Sequence, residues 1–250
     1  MTKDFYNSLA PYYKYIYLDW DKSVTNQAKS LDSIIKEFVG DKKTVLDASC
    51  GIGTQSIGLA ELDYEVSASD LSDREVKLAK EEADRRGLKI DFQVADMREV
   101  SKVFNKKFDV VLSADNSVPH LLTDEDIVKT FREFHALLNV GGVCIITVRD
   151  YQNINPEKRK YILNPRHFHS SPEEKIVMFD LWEFDGDYYD FNMYLVKDNG
   201  KDTLETIAMR SRYYCITTDK LEKLIQEAGF TEVRTLNDRF YQPVVLGIKS

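Results

Sequence analysis

The chain has 250 residues, of which 43% are apolar and 30% are charged, so it can bury a sizeable core. Its 42 acidic and 34 basic side chains leave a formal charge of −8, which argues against nucleic acid and anionic membranes as partners. The sequence has no apolar run of about 18 residues for a membrane span. It shows no apolar signal stretch after Met1 and no metal-ligand spacing among its three cysteines. We therefore expect a cytoplasmic protein with reduced thiols.

Aromatic side chains crowd the first 20 positions of the chain. A helical pattern of apolar residues follows, from Leu31 to Phe38. We expect residues 1–40 to form an N-terminal aromatic helical cap. Its aromatic residues are Tyr6, Tyr12, Tyr13, Tyr15, Tyr17 and Trp20.

Residues 41–150 alternate short β-branched runs with longer amphipathic stretches, which predicts strands alternating with helices. One predicted helix stops at Gly87, and another begins at Thr123 as its N-cap. This alternation is typical of an α/β fold with a mostly parallel, doubly wound sheet. The predicted strands are 44–47, 64–70, 89–96, 108–113 and 143–148.

Residues 151–216 carry three aromatic-rich runs, 176–184, 188–196 and 204–216, separated by Gly-containing turns. Turns of this kind between apolar runs indicate an inserted antiparallel β-meander. Residues 217–250 then predict a helix and two more strands of the core. Neither added segment is long enough to stand alone, so we expect one domain over 1–250.

The glycine-rich stretch from Asp47 to Ser56 follows the first predicted strand. Glycines there permit a tight turn and let a ligand approach the backbone at the start of a helix. The third glycine of a dinucleotide fingerprint is replaced by Ser56, and an acid at Asp47 would repel a pyrophosphate. A cationic ligand would instead be attracted to Asp47, so a nicotinamide-dependent reductase is disfavoured.

Acids also end the next strands of the predicted sheet. Asp70 closes the second strand, Asp96-Met97 closes the third, and 114–117 close the fourth. The carboxyl ends of neighbouring parallel strands form the ligand crevice of such folds, where an acid suits ribose hydroxyls. Each residue alone could be a solvated loop carboxylate, but four in register indicate a binding site.

The block 44–149 resembles the core of class I S-adenosylmethionine (SAM)-dependent methyltransferases, in the glycine loop, Asp70, Asp96-Met97 and the turn 138–142. The resemblance implies a Rossmann-like, seven-stranded, mostly parallel sheet flanked by helices. It also implies SAM as cofactor and S-adenosylhomocysteine (SAH) as product. The cofactor-binding residues it implies are Tyr6, Tyr13, Asp47, Ser49, Gly51, Gly53, Asp70, Leu71, Asp96, Met97 and Ala114.

A narrower resemblance is to glycine and sarcosine N-methyltransferases. It is carried by 47–53, 115–120, 148–151 and 212–214. The resemblance implies that Arg149 pairs with a substrate carboxylate, that Asn116 lies beside it, and that Tyr17 belongs to the aromatic lid. An Arg fork also suits bidentate carboxylate recognition on physical grounds. A surface salt bridge of Arg149 is the alternative.

Histidines offer one catalytic candidate. His120 follows the fourth strand, where a neutral imidazole could take a proton from an incoming ammonium, although a structural role is as easily accommodated. His167 and His169 lack an evident third ligand, so we expect no metal.

We therefore expect a SAM-dependent methyltransferase acting on the nitrogen of a small amino acid or amine, with a homo-oligomer left open. One alternative is an O- or N-methyltransferase for a sugar, polyketide or other metabolite. Another is a SAM-binding regulatory protein without catalysis.

Overall fold

The computed structural model describes residues 2–41, 44–154, 161–170, 175–200 and 203–250. Its α-helices are α1 Thr2–Leu9, α2 Trp20–Val39, α3 Thr54–Glu61, α4 Asp73–Arg85, α5 Asp124–Leu137 and α6 Thr218–Glu227. Three 3-10 helices cover Ala10–Ile16, Met97–Lys102 and Val118–Leu121. The strands of the first sheet are β1 Thr44–Asp47, β2 Glu65–Asp70, β3 Asp91–Val94, β4 Phe108–Ser113, β5 Leu138–Thr147, β10 Thr231–Leu236 and β11 Val244–Ile248. Those of the second are β6 Tyr161–Ser170, β7 Lys175–Asp185, β8 Tyr188–Asp198 and β9 Glu205–Tyr214.

Seven strands form a mostly parallel sheet in the order β10-β11-β5-β4-β1-β2-β3, with β11 antiparallel to both of its neighbours. β1 pairs with β2 on one side and with β4 on the other, both in parallel register. The carboxyl ends of β1, β2, β3 and β4 therefore meet at one edge. This arrangement confirms the predicted Rossmann-like α/β fold with an N-terminal helical cap and an antiparallel insertion.

The insertion is a four-stranded antiparallel sheet, β6-β7-β8-β9, and thus has one strand more than predicted. Asp185 and Tyr188 face each other across the predicted turn at Gly186, whose φ of 57° suits a residue without a Cβ. β6 was missed because Pro165 and a polar sequence interrupt its apolar pattern.

The fifth strand also differs from its prediction, because it begins at Leu138 rather than at Val143. Leu138 pairs with Phe108, and a register shift then brings Val143 opposite Val110. Gly141 takes a positive φ of 74° inside this irregularity. The stretch read as a turn is therefore a bulged start of β5.

The N-terminal segment packs on the second sheet. Phe5 and Leu9 are buried in an aromatic cluster with Trp182, Tyr189 and other side chains of β7–β9. The ring of Phe5 meets that of Phe191 edge-on, with centroids 5.8 Å apart. The cap and the insertion thus form one wall beside the carboxyl edge of the large sheet. The proposed boundaries, 1–40, 41–150, 151–216 and 217–250, stay a prediction.

Asp47 does not point into the crevice at that edge, contrary to the sequence-based expectation. Its side chain is fully buried, and its oxygens accept hydrogen bonds from the Ser49 N–H at 3.3 Å and the Ser56 hydroxyl at 2.6 Å. Asp47 therefore holds the glycine loop against the start of α3. Burial raises the pKa of this carboxyl from 3.8 to about 7.

The raised pKa of Asp47 generates a pH-dependent stability. The folded protein binds this proton more tightly than the unfolded chain, so the favourable contribution is complete below about pH 4 and is lost as the pH rises through about 7. We expect Asp47→Asn to be more stable relative to wild type at about pH 8 than at about pH 5, by up to a few kcal/mol. Thermal unfolding of the two proteins across this range measures the difference.

The control is Asp91→Asn, which removes an exposed carboxylate. The thermal stability of this variant should depend on pH in the same way as that of wild type. A pH dependence unchanged in Asp47→Asn would show that this carboxyl is ionised in the folded protein at low pH.

Candidate active site

A crevice of about 330 Å³ lies at the carboxyl ends of β1, β2 and β3. This volume is within the range of small-molecule sites. Eight of the predicted cofactor residues line it: Tyr6, Tyr13, Ser49, Gly51, Asp70, Leu71, Asp96 and Met97. The crevice thus brings together residues that are up to 91 positions apart, from Tyr6 to Met97.

Asp70 forms the floor of the crevice. Its two oxygens accept hydrogen bonds from the N–H groups of Gly51 at 2.9 Å and Ser72 at 2.8 Å. Burial raises the pKa of Asp70, and these backbone donors partly offset that effect. Each carboxylate oxygen has further lone pairs, so ribose hydroxyls can still donate to it.

Three of the predicted residues, Ser49, Gly53 and Ala114, differ in what they contact. Ser49 lies in the crevice, where its hydroxyl bonds that of Ser113 at 2.8 Å. Gly53 instead caps α3, and a Cβ there would lie 2.9 Å from Cδ1 of Ile57. Ala114 is 2% exposed and belongs to the core. Gly53 and Ala114 therefore do not line the crevice.

The Asp96-Met97 pair closes one end of the crevice. Asp96 caps the following 3-10 helix by accepting from the Arg98 N–H, and its oxygens also bind the Arg98 guanidinium, at 2.5 to 3.2 Å. The Arg98 guanidinium also forms an ion pair with Asp126 of α5, at 2.7 Å. This network orients Asp96 and places Arg98, which the sequence reading missed, on the crevice wall.

Three tyrosines of the N-terminal cap form a stacked column over the glycine loop. The rings of Tyr6 and Tyr13 lie 6.5 Å apart, and those of Tyr13 and Tyr17 lie 6.4 Å apart, each pair within 24° of parallel. Tyr17 places its hydroxyl 3.5 Å from Thr54 Oγ1, which also accepts from the Trp20 indole at 2.9 Å. The column covers the loop with apolar faces and hydroxyl groups.

His120 lies at the junction of the cap and the insertion. The Tyr6 hydroxyl contacts its Nε2 at 2.8 Å, and the Ser211 hydroxyl and the Arg212 carbonyl contact Nδ1 at 3.2 Å. Burial and the nearby charge of Arg149 lower the pKa of His120 to about 3. An imidazole with this pKa is a poor proton acceptor. The geometry favours a role in holding Tyr6 over the predicted role as a base.

A second, smaller chamber of about 60 Å³ adjoins the crevice and shares Tyr6 and Tyr13 with it. Arg149 and Asp115 contribute its two opposite charges, and the remaining walls are largely aromatic and apolar. The guanidinium carbon of Arg149 lies 5.0 Å from the ring centroid of Trp182 and 5.1 Å from that of Tyr213. These distances are those of cation–π contacts.

Asn116 lies behind Arg149 rather than in the chamber. Its Oδ1 accepts from the Arg149 N–H at 3.0 Å, and its Nδ2 donates to the Tyr151 hydroxyl at 2.9 Å. The Asn116 side chain is completely buried, and its φ is 66°. Asn116 therefore positions the Arg149 backbone, whereas the sequence reading had it beside the substrate.

A groove of about 400 Å³ lies on the other side of Asp115. Tyr17 lines this groove together with Tyr241 and residues of α2. Burial and the charge of Asp115 raise the pKa of Tyr17, whereas Tyr241 is 56% exposed. Asp115 and Ile16 border the small chamber as well as the groove, so they form the partition between the two spaces.

Sequence reasoning also missed Glu75 and Asp115 as site residues. Glu75 lines the crevice from the first turn of α4, where an acid reads as an ordinary helix-start residue. Asp115 was noticed as part of a strand end, but only its φ of 55°, an uncommon value for a residue with a side chain, marks it structurally.

The crevice suits the cofactor that the sequence implies. It combines the Asp70 and Asp96 carboxylates with aromatic faces and with Glu75, a buried acid whose Oε1 has no hydrogen-bond partner. Among the residues whose side chains the structure describes, no group of three potential metal ligands occurs; the side chains of His167 and His169 are not among them. Of the described helices, none has both the length and the apolarity to cross a bilayer.

Comparisons with known proteins agree with this geometry. A family described as a methyltransferase domain matches residues 45–142. Glycine/sarcosine N-methyltransferase of Aphanothece halophytica is 27% identical over 229 residues, covering 88% of this chain and 78% of that protein. The enzyme of the same description from Halorhodospira halochloris is 30% identical over 138 residues, covering 55% of this chain and 50% of that protein.

The fold is also that of solved methyltransferases. A SAM-dependent methyltransferase from Clostridium acetobutylicum superposes with a TM-score of 0.78 at 17% identity, covering 98% of this chain and 99% of that one. This likeness concerns the fold, whereas the family match and the curated relatives concern the sequence. Residues 45–142 thus carry a methyltransferase domain, and the protein is a SAM-dependent methyltransferase whose sequence resembles the glycine/sarcosine N-methyltransferases.

Proposed function

We propose that the enzyme methylates the nitrogen of a small amino acid, held in the chamber between Arg149 and Asp115. The observation that carries this proposal is the Arg149 guanidinium, which is partly buried among aromatic rings. Among the described residues it forms no ion pair, and its side-chain hydrogen bond is to the Tyr189 hydroxyl. A cation that is partly removed from water and has no direct ion-pair partner costs free energy, so the site is suited to an anionic ligand. A substrate carboxylate supplies that charge.

The setting of Arg149 also supports a planar, bidentate ligand. Aromatic rings of Trp182, Phe191 and Tyr213 lie 5.0 to 5.9 Å from the guanidinium and limit its movement. Asn116 holds its backbone N–H, as described above. Arginine fixed in this way presents a rigid fork of donors that matches a carboxylate.

The size of the chamber favours a small acceptor. Its volume of about 60 Å³ is far below the roughly 300–1,000 Å³ of pockets that hold drug-sized ligands. This space suits an acceptor of the size of glycine, which is the substrate in the name of the curated relatives. A sugar ring or a polyketide does not fit without rearrangement.

Asp115 is the natural partner for the amine of such an acceptor. Its carboxylate accepts from the Gln242 amide at 3.3 Å and faces the chamber that holds Arg149. When bound, SAM supplies an electrophilic methyl group, and the acceptor nitrogen must be neutral to attack it. Asp115 would bind the ammonium form and direct its nitrogen, which would pass one proton to solvent water before the N–C bond forms. Positioning of this kind can contribute about 7–11 kcal/mol to a reaction between two bound partners.

One observation favours a second candidate function, methylation of an amine on a larger metabolite. The groove of about 400 Å³ meets the chamber at Asp115, so a larger molecule can lie there while its amine reaches past this residue. Mass spectrometry of SAM-dependent product formation separates the two candidates. Glycine and sarcosine should be methylated, and methylamine, which lacks the carboxylate, should be a poor acceptor. Activity confined to amino sugars or other large amines would favour the second candidate.

Arg149→Lys tests the carboxylate partner. We expect the acceptor KM to rise about 30- to 100-fold, because the bidentate fork is lost while the positive charge remains. SAM affinity, measured by calorimetry, should stay within about twofold of wild type. The control Arg210→Lys makes the same exchange at an exposed position of β9 and should leave KM unchanged. A normal acceptor KM in Arg149→Lys would contradict the proposal.

Asp115→Asn tests the amine partner. Asparagine tolerates the positive φ at this position, so the backbone should be retained. We expect kcat/KM to fall about tenfold or more near neutral pH and to recover in part at alkaline pH, where the acceptor is already a neutral amine. Asp63→Asn is a matched control, because Asp63 is exposed and has a φ of 63°. An equal loss at all pH values would argue against ammonium recognition by Asp115.

A further inference from the structure

Glu75 is a buried acid in the cofactor crevice that no described residue neutralises. Its side chain is 1% exposed, and it forms no ion pair within the described part of the chain. Its Oε1 is completely shielded from solvent and has no hydrogen-bond partner. Leaving such a group unpaired costs free energy, and a bound ligand that pairs with it would remove this cost.

The position of Glu75 directs it at the cofactor. The Ser72 hydroxyl caps α4 by accepting from the Glu75 N–H at 3.1 Å, which fixes this residue in the first turn. A Cβ placed on Gly51 would lie 3.5 Å from Glu75 Oε2 and 3.8 Å from the Tyr13 hydroxyl. The Glu75 carboxylate therefore lies against the glycine loop, close to the Tyr13 hydroxyl of the tyrosine column.

Among the described residues that line the crevice with Glu75, the two cationic side chains are paired elsewhere and the other groups are acidic or neutral. Asp70 adds a second negative charge, and this charge together with burial raises the pKa of Glu75. Lys3 and Arg98 also line the crevice, but they form ion pairs with Asp73 and with Asp96 and Asp126. The charge of Glu75 contributes to the raised pKa of four neighbouring groups: Cys50 of the loop and Tyr6, Tyr13 and Tyr17 of the cap.

Asp70 and Glu75 differ in the hydrogen bonds that their carboxylates accept within the protein. Both oxygens of Asp70 accept backbone N–H groups, as described above, whereas no hydrogen bond to either Glu75 oxygen occurs among the described residues. Both Glu75 oxygens are thus available to pair with a ligand. SAM and SAH share the adenine, the ribose and the amino-acid end, and they differ by one methyl group and the positive charge on sulfur.

We propose that Glu75 makes the crevice selective for the sulfonium charge, so that it holds SAM more tightly than SAH. A negative charge at low dielectric discriminates strongly between a cation and its neutral counterpart. The same preference helps the spent product to leave after methyl transfer. This inference rests on the cofactor and is independent of the acceptor.

The first test compares the dissociation constants of SAM and SAH by calorimetry in wild type and Glu75→Gln. We expect Glu75→Gln to weaken SAM binding by about tenfold or more and to leave SAH binding within about twofold. Retained SAH binding also shows that the variant is folded. Glu81→Gln is the control, because Glu81 lies on the same helix with its side chain 59% exposed and paired with Lys77.

Two results of this experiment would overturn the proposal. If Glu75→Gln weakens SAM and SAH by the same factor, Glu75 contacts a part that the two molecules share. If it weakens neither, Glu75 does not act on the cofactor. Failure of the amino-acid proposal would leave all of these binding constants unchanged, so the two proposals fail separately.

A second readout follows the proton on Glu75. Because the pKa of its carboxyl is raised in the free protein, a bound cation should favour the ionised form and release a proton. Calorimetry in two buffers of different ionisation enthalpy should show more proton release with SAM than with SAH. Glu75→Gln should remove that difference, and Glu81→Gln should keep it. Equal proton release with both molecules in wild type would contradict the proposal.

Discussion

The carboxylate of Asp70 joins the two chain segments that form the floor of the cofactor crevice. It accepts one N–H from the glycine loop after β1 and one from the start of α4. Hydrogen bonds to a charged group contribute about 1.5–3 kcal/mol each, so the loop and the helix are held in one geometry. The tyrosine column rests on that loop, and Glu75 projects from that helix. Both features therefore depend on the ends of two adjacent parallel strands.

The active site is built by three parts of the chain that are distant in sequence. The large sheet supplies Asp70 and Asp115, the insertion supplies the aromatic rings around Arg149, and the N-terminal cap supplies the tyrosines that separate crevice from chamber. His120 links the last two, because it touches Tyr6 on one side and β9 on the other. The crevice and the chamber are thus adjoining spaces with a shared aromatic wall, as the proposed cofactor and acceptor sites require.

The sequence predicted the fold well, because burial on both faces of a parallel sheet leaves apolar runs between amphipathic helices. It also predicted most of the residues that line the crevice, because acids at the ends of predicted strands, such as Asp70 and Asp96, can be recognised in the sequence. It failed where the outcome depends on the direction of a side chain. Asp47 ends a strand as Asp70 does, yet it turns toward Ser56 and the core. Asn116 likewise follows a strand, but its side chain accepts the Arg149 backbone N–H. Glu75 lies within a helix, and only the packing of that helix against the glycine loop places it in the crevice.

The start of α1 lies closer to the chemistry than its place in the sequence suggests. Thr2 and Lys3 line the crevice itself, so anything joined ahead of them begins at its mouth. The other end of the chain follows β11, which runs antiparallel to β5 and brings Ile248 opposite Val143. That end therefore lies at the edge of the sheet away from the crevice. Purification tags and fluorescent labels belong there, where they leave the passage of cofactor and product unobstructed.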